Sequence, residues 1–261
     1  MNPNWLALQI ENSAKLKLSA LLRELPVESK TRKSSPGEEK IVIVCHGFTG
    51  SKEGSGQAVT MGEKLIDHGF STILFDFAGC GESEGSWKDI SLSGQIEDLK
   101  CIVSWCRARG FNKIVLTGRS FGGSTVIGYA ARDKKISAVC TWAAVARLQL
   151  LFSPFINGKF EGDPDELITI AGEDGEVFLK RAFFQDLLKH DLFEYASAIS
   201  PRSLLIIHGS ADDSVPYEDA DLIYRATLEP KELIILEGAN HRFSDHTGQV
   251  WEAFFTWLDR L

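Results

Sequence analysis

Residues Ile41-Val42-Ile43-Val44-Cys45 form an unbroken apolar run, mostly β-branched. It is too short for a buried helix and has no polar alternation. Such a run suits a strand covered on both faces, as in a parallel sheet. From there the chain alternates. Gly56 to His68 reads as helix, Ser71 to Phe77 as strand, and Ser91 to Arg109 as a long helix with Gly110 after it. Lys113 to Thr117 reads as strand, Phe121 to Arg132 as helix and Ile136 to Trp142 as strand. Later come a strand at Ser203 to His208, a helix at Tyr217 to Leu228, a strand at Glu232 to Leu236 and a helix at Ser244 to Leu261. This rhythm means βαβ units around a mostly parallel sheet.

The interval between Trp142 and Ser203 breaks the rhythm and shows no clear strand. It holds Phe152, Phe155, Phe160, Phe178, Phe183 and Phe184, with a helical stretch near Glu176 to Lys189. It reads as an insertion, dividing the chain into a first core part (residues 1–143), an insert (144–200) and a second core part (201–261). Ahead of the first buried strand, Leu6 to Glu11 and Leu16 to Leu25 flank a polar turn, the second fitting strand or helix. Glu28 to Lys40, with Pro36-Gly37, reads as a surface loop.

Composition narrows the function classes. A net charge of −8 over 261 residues argues against nucleic acid or an anionic membrane as partner, the Lys30-Arg32-Lys33 run being the one basic patch. No segment approaches the ~18 apolar residues of a membrane span, and the amino-terminal residues lack a signal core. The five cysteines, Cys45, Cys80, Cys101, Cys106 and Cys140, include no CxxC pair. That favours free thiols, no structural zinc and a cytoplasmic location.

Gly118-Arg119-Ser120-Phe121-Gly122 matches G-x-S-x-G, and so does Gly81-Glu82-Ser83-Glu84-Gly85. Only the first lies where a strand ends and a helix begins, the turn that projects a serine above a sheet. Ser120 is therefore the candidate nucleophile. A serine needs a base, and the base an orienting acid. Asp212 and Asp213 follow the strand ending at His208, and His241 follows the strand ending at Leu236, so the chain order is serine, acid, histidine. The loop His46-Gly47-Phe48-Thr49-Gly50 follows the first buried strand, where an oxyanion donor is expected. The backbone N–H groups of Phe48 and Phe121 are the candidate pair. His46 and His208, each before a glycine, read as backbone-shaping residues; His68 and His190 read as surface. His246 and Asp245 lack a second ligand cluster, so no metal is expected. The Gly79-Cys80-Gly81 stretch lacks the third glycine of a dinucleotide fingerprint, so no cofactor is expected.

His46-Gly47-Phe48, Asp76-Phe77-Ala78-Gly79-Cys80-Gly81-Glu82-Ser83, Gly118 to Gly123, His208 to Pro216 and Gly238-Ala239-Asn240-His241 together resemble the α/β-hydrolase superfamily. Within it they look most like small cytosolic esterases, the cinnamoyl (feruloyl) esterase and serine-aminopeptidase-like group. The resemblance implies the α/β-hydrolase fold: a mostly parallel central sheet, helices on both faces, and an inserted cap that sets substrate choice. It also selects Asp212 over Asp213 by the spacing to Gly209 and Val215-Pro216. Relatives often carry an arginine where this chain has Ala78. The implied function is a carboxylic-ester hydrolase working on a small-molecule ester with an apolar or aromatic acyl group. Rivals are an aminopeptidase or amidase, whose amine-binding acids would come from Glu161, Asp163, Asp165, Glu166, Glu173, Asp174 and Glu176, an acyl thioesterase, and a non-catalytic ligand receptor on the same fold.

Overall fold

The structure, a computed structural model, describes residues 4–26, 38–172 and 175–261. The Lys30-Arg32-Lys33 run, nearly all of the expected loop from Glu28 to Lys40, and Glu173 and Asp174 lie outside the described residues.

In chain order the elements are β1 (Leu6–Glu11), β2 (Lys17–Arg23), β3 (Lys40–Cys45), α1 (Gln57–Leu65), β4 (Ser71–Phe75), α2 (Leu92–Ala108), β5 (Lys113–Arg119), α3 (Phe121–Arg132) and β6 (Ala138–Trp142). There follow α4 (Leu148–Phe152), β7 (Leu167–Gly172), β8 (Gly175–Lys180), α5 (Arg181–Leu187), α6 (Leu192–Ser197), β9 (Ser203–Gly209), α7 (Glu218–Ala226), β10 (Lys231–Leu236) and α8 (Thr247–Leu258). Eight strands form one sheet in the order β1-β2-β4-β3-β5-β6-β9-β10. All neighbours from β4 to β10 pair in parallel, whereas β1 and β2 add an antiparallel edge. The segment left open between strand and helix, Leu16 to Leu25, is thus mainly strand. Residues Leu18 to Leu22 are all buried, and their side chains divide by alternation, with Leu18, Ala20 and Leu22 in one core and Leu21 in another.

The apolar runs divide their side chains between two cores. Ile41, Ile43, Ile114 and Leu116 face α2, α3 and α7, where Leu99, Ile102, Val126 and Ile223 meet them. Val42, Val115, Leu205 and Ile207 face α1 and α8, against Met61, Leu65, Phe254 and Trp257. With helices on both faces, this is the α/β-hydrolase fold.

Between β6 and β9 two expectations need correction. The interval contains a two-stranded antiparallel hairpin, β7 with β8, and the helix expected from Glu176 begins only at Arg181. Ile168, Ile170, Val177 and Leu179 turn to the core, while Leu167 and Phe178 stay exposed. The alternation was hidden because Val177 to Leu179 runs into helical Arg181 to Leu187 with no Gly or Pro between them, so two periods overlap in one window.

His190, read as surface, is buried. Asp186 accepts from Ser93 N (2.8 Å) and Ser93 Oγ (2.7 Å), and His190 Nε2 lies 3.0 Å from that hydroxyl. Burial works to raise the Asp186 carboxyl, but the His190 and Ser93 donors hold it well below the usual carboxylate range. Although Ser, His and Asp meet here, one ring nitrogen faces both partners. No relay through the two sides of the imidazole is possible, so the group ties the insert to the start of α2.

Candidate active site

Ser120 occupies the turn from β5 into α3 with φ 54° and ψ −124°. Such a conformation costs a non-glycine residue of order 1–3 kcal/mol. Surrounding bonds hold it in place: Ser120 N–H donates to the Trp142 carbonyl (2.8 Å), and the Ser120 carbonyl accepts from Gly123 (2.8 Å). The flanking glycines are required by contact. A Cβ on Gly118 would lie 2.3 Å from the Gly122 carbonyl oxygen, and one on Gly122 2.3 Å from that of His46. Gly122→Ala should therefore cost more than the ~1–3 kcal/mol of ordinary overpacking. Gly248 in α8 has open space around it, so Gly248→Ala should be neutral or slightly stabilising. Thermal melts of the two variants test the contrast, and equal melting temperatures would refute it.

The rim above the sheet is stitched strand to strand. Ser120 N–H reaches the end of β6, Ala143 N–H donates to Ile207 of β9 (2.9 Å), and Ser210 N–H donates to Leu236 of β10 (2.9 Å). Ser120, Asp212 and His241 thus stand on one rim, where the strands' carboxyl ends converge. His241 Nδ1 lies 2.8 Å from Asp212 Oδ2. Asp212 Oδ1 accepts from Ser214 N–H (2.9 Å) and Val215 N–H (2.8 Å). Asp213 is exposed and takes the Ser214 hydroxyl (3.2 Å). Among the described residues no hydrogen bond joins the Ser120 hydroxyl to His241.

Sequence reasoning missed one member of this group. His208 is not merely a backbone-shaping residue: its Nε2 lies 3.1 Å from Asp212 Oδ2 as well as 3.0 Å from the Val215 carbonyl. Its only signal was a place four residues before Asp212. Burial would raise the Asp212 carboxyl, but donors from His208, His241 and the Val215 amide hold it well below the usual carboxylate range.

The candidate oxyanion donors flank the serine. Gly47 and Gly50 close a turn (3.0 Å) that carries Phe48, and Phe121 opens α3, where N–H groups lack helical partners. The turns abut, since a Cβ on Gly47 would lie 3.4 Å from Ser120 Cβ. Beneath the turn, His46 Nε2 accepts from Phe77 N–H (3.2 Å) while Nδ1 faces the Gly47 carbonyl (2.8 Å). Burial lowers the His46 pKa, which favours the neutral ring these bonds require. Lys52, itself buried, bonds to Asp76 (2.8 Å) and Glu82 (2.7 Å). Asp98 accepts from Ala78 N–H (2.9 Å) and from Asn12 (2.6 Å). These anchors hold a loop where Ala78 offers no guanidinium. Ser83 is built into the same loop, donating to the Asp76 carbonyl (2.6 Å) and accepting from Ser19 N–H (2.9 Å).

Phe152 and Phe183 of the insert each pack on both Phe48 and Phe121, with ring centroids 5.2–5.9 Å apart. Phe184 is buried behind them, while Phe155 and Phe178 are exposed. On the other face of the elbow lies a cavity of about 620 Å³ lined by His46, Arg119, Trp142, Arg242 and Trp251 among others. Among the described residues all cysteines are free, no three His, Cys, Asp or Glu side chains gather as a metal site, and no helix is long and apolar enough to cross a membrane.

A family model described as alpha/beta hydrolase fold matches residues 40–157. The uncharacterized protein YfhR of Escherichia coli K12 is 26% identical over 217 residues, 80% of this chain and 66% of that protein, just under two thirds of its length. The polyketide transferase grgF of a Penicillium species is 25% identical over 212 residues, 67% of this chain and 72% of that one. Among solved structures, the esterase Est1E of Butyrivibrio proteoclasticus with bound ferulic acid superposes with a TM-score of 0.81, at 24% identity, covering 97% of this chain and 98% of that one. The sheet order, the strained turn at Ser120 and these matches agree on one architecture, the α/β-hydrolase fold.

Proposed function

We propose that the chain hydrolyses carboxylic esters through an acyl-enzyme on Ser120. His241 is the general base and then acid, Asp212 orients it, and the Phe48 and Phe121 amides stabilise the oxyanion. The observation that carries this is the His241 Nδ1 contact with a buried Asp212 carboxylate on the same rim as the strained Ser120. His241 Nε2 takes the Ser120 proton as the hydroxyl attacks the ester carbonyl, and the oxyanion forms against the two amides. The intermediate then collapses as the imidazolium returns its proton to the leaving alcohol. Water repeats the sequence on the acyl-enzyme. The hydrogen bond from Ser120 to His241 would close with substrate, as is common for such contacts.

Residues 144–200 act as a cap in this reading. The phenyl rings seated on Phe48 and Phe121, with Phe155 and Phe178 exposed nearby in the chain, favour an apolar or aromatic acyl group, and the bound ferulic acid of Est1E fits the same reading. The aminopeptidase reading loses support because two of its candidate acids are already engaged: Asp165 pairs with Lys180 and Glu166 with Arg181. The name of grgF supports a variant in which the acyl group passes to an acceptor other than water. Free cysteines fit the proposed cytoplasmic location.

A panel of aryl esters, aminoacyl amides and acyl thioesters, paired with a fluorophosphonate label, tests the reading. Labelling at a residue other than Ser120, or turnover of amides alone, would refute it. The pH profile adds a second test. Catalysis needs a neutral imidazole and a charged carboxylate, so kcat/KM should fall on the acid side as the base is lost. Asp212 is held well below the usual carboxylate range, so it stays charged where an ordinary aspartate would take up a proton, near about pH 4. The acid limb should therefore keep a slope of one through about pH 4. A slope of two there in a folded enzyme would contradict the assignment.

A further inference from the structure

We infer that His208 is a positioning residue for the proposed hydrolysis, a neutral donor that locks the Asp212 carboxylate so that Oδ2 faces His241. The inference rests on the triad reading above and adds a fourth member to it.

The His208 side chain is fully buried at the end of β9. Its Nε2 stands between two acceptors, Asp212 Oδ2 at 3.1 Å and the Val215 carbonyl at 3.0 Å. Neither can donate, so the proton belongs on Nε2. Its Nδ1 is buried too, and among the described residues it has no hydrogen-bond partner. A second proton there would place a charged donor with nothing to receive it, a costly arrangement in an apolar interior. The ring is therefore held neutral, with Nε2–H as its one donor.

That donor closes a compact ring of bonds. Val215 gives its N–H to Asp212 Oδ1 and takes the His208 N–H on its carbonyl. Asp212 is thus gripped on one oxygen by the Ser214 and Val215 amides and on the other by two imidazoles. A carboxylate held only by the loop could turn about its terminal bond; the His208 bond opposes that turn. Among the described residues, the titratable groups in contact with Asp212 are His208 from β9 and His241 from the loop after β10, while the neighbouring Asp213 is exposed and engaged by Ser214. The His208 N–H also draws charge from the oxygen that His241 uses. Removing it should leave more negative charge facing His241 and stabilise that imidazole's protonated form.

Two variants compared on one aryl ester test this. His208→Leu keeps the burial and removes the donor. His208→Gln carries an amide N–H on a chain long enough to reach toward the place of Nε2. Outer-shell partners at metal-binding histidines typically contribute tenfold to a hundredfold; with that as a scale, kcat of His208→Leu should fall by about tenfold to a hundredfold. KM should stay within roughly threefold, as expected when orientation and not binding is lost. The acid limb of its kcat/KM should move to higher pH. His208→Gln should recover most of kcat and return the limb toward wild type. Nitrogen NMR of the labelled wild-type protein should show His208 with Nε2 protonated and Nδ1 bare.

Wild-type kcat and pH limb in folded His208→Leu would overturn the inference. So would equal losses in folded His208→Leu and His208→Gln, or a wild-type tautomer protonated on Nδ1. If His208→Leu fails to fold, His208→Gln and the tautomer decide. The tautomer needs no substrate and is read even if esters are not turned over, whereas the hydrolase reading stands or falls separately on Ser120→Ala.

Discussion

Ser120→Ala should lower ester turnover by roughly three decades or more while leaving the fold intact, because removal of a triad nucleophile leaves only the rate supplied by binding and the oxyanion donors. The serine hydroxyl makes no structural hydrogen bond among the described residues, and alanine relieves little of the strain at φ 54°, so the melting temperature should barely change. Ser83, centre of the second G-x-S-x-G match, should behave in the opposite way. Its hydroxyl bridges the Asp76 carbonyl and the Ser19 amide, and each lost hydrogen bond costs about 1 kcal/mol. Ser83→Ala should therefore melt earlier, yet turn over substrate normally per folded molecule. Near-wild-type turnover by Ser120→Ala, or a phosphonate adduct mapped to Ser83, would refute the assignment.

The two serines also separate what the sequence reveals from what only the fold reveals. A strand signal before Gly118 and a helix signal after Phe121 distinguish the first match from the second, because such elements leave periodic traces in a short window. The buried parallel strands were legible for the same reason: Ile41 to Cys45 and Leu204 to Ile207 have no polar face to hide. Side-chain partners across the sheet leave no such trace. Lys52 reaches Asp76 and Glu82, and Asp98 of α2 reaches the Ala78 amide in the loop after β4, and neither link follows from spacing. His208 was misread because a histidine before a glycine at a strand end has several ordinary uses, and only the fold of the 209–215 loop turns Asp212 back onto it. The hairpin of β7 and β8 was missed where strand and helix periods adjoin.

Asp212→Asn should cost decades in kcat with little change in KM, and Asp213→Asn should stay within about tenfold of wild type. Adjacent residues in a turning loop point different ways, and here one carboxylate is fully buried against His241 while the other is exposed. The damage at 212 goes beyond charge. Four N–H donors converge on this carboxylate: two amides on Oδ1, and His208 and His241 on Oδ2. An asparagine offers one acceptor oxygen, and its NH₂ group would confront either the two amides or the two imidazoles. If it faces the imidazoles, His241 must take the tautomer that cannot accept the Ser120 proton. The matching change in chymotrypsin-type enzymes costs about four decades in kcat. If it faces the amides, the loop that carries residue 212 loses its bonds and the protein loses stability. Acid denaturation separates the pair further. Since the folded pKa of Asp212 is depressed, its stabilisation is present above the unfolded value near pH 4 and fades as pH falls toward the lower folded value. The Asp212→Asn variant lacks that contribution, so its stability should depend less on pH below about 4, whereas the Asp213→Asn variant should follow wild type. Measured on one aryl ester with parallel melts, a dead Asp213→Asn enzyme beside an active Asp212→Asn enzyme would place the orienting acid one residue further along the chain.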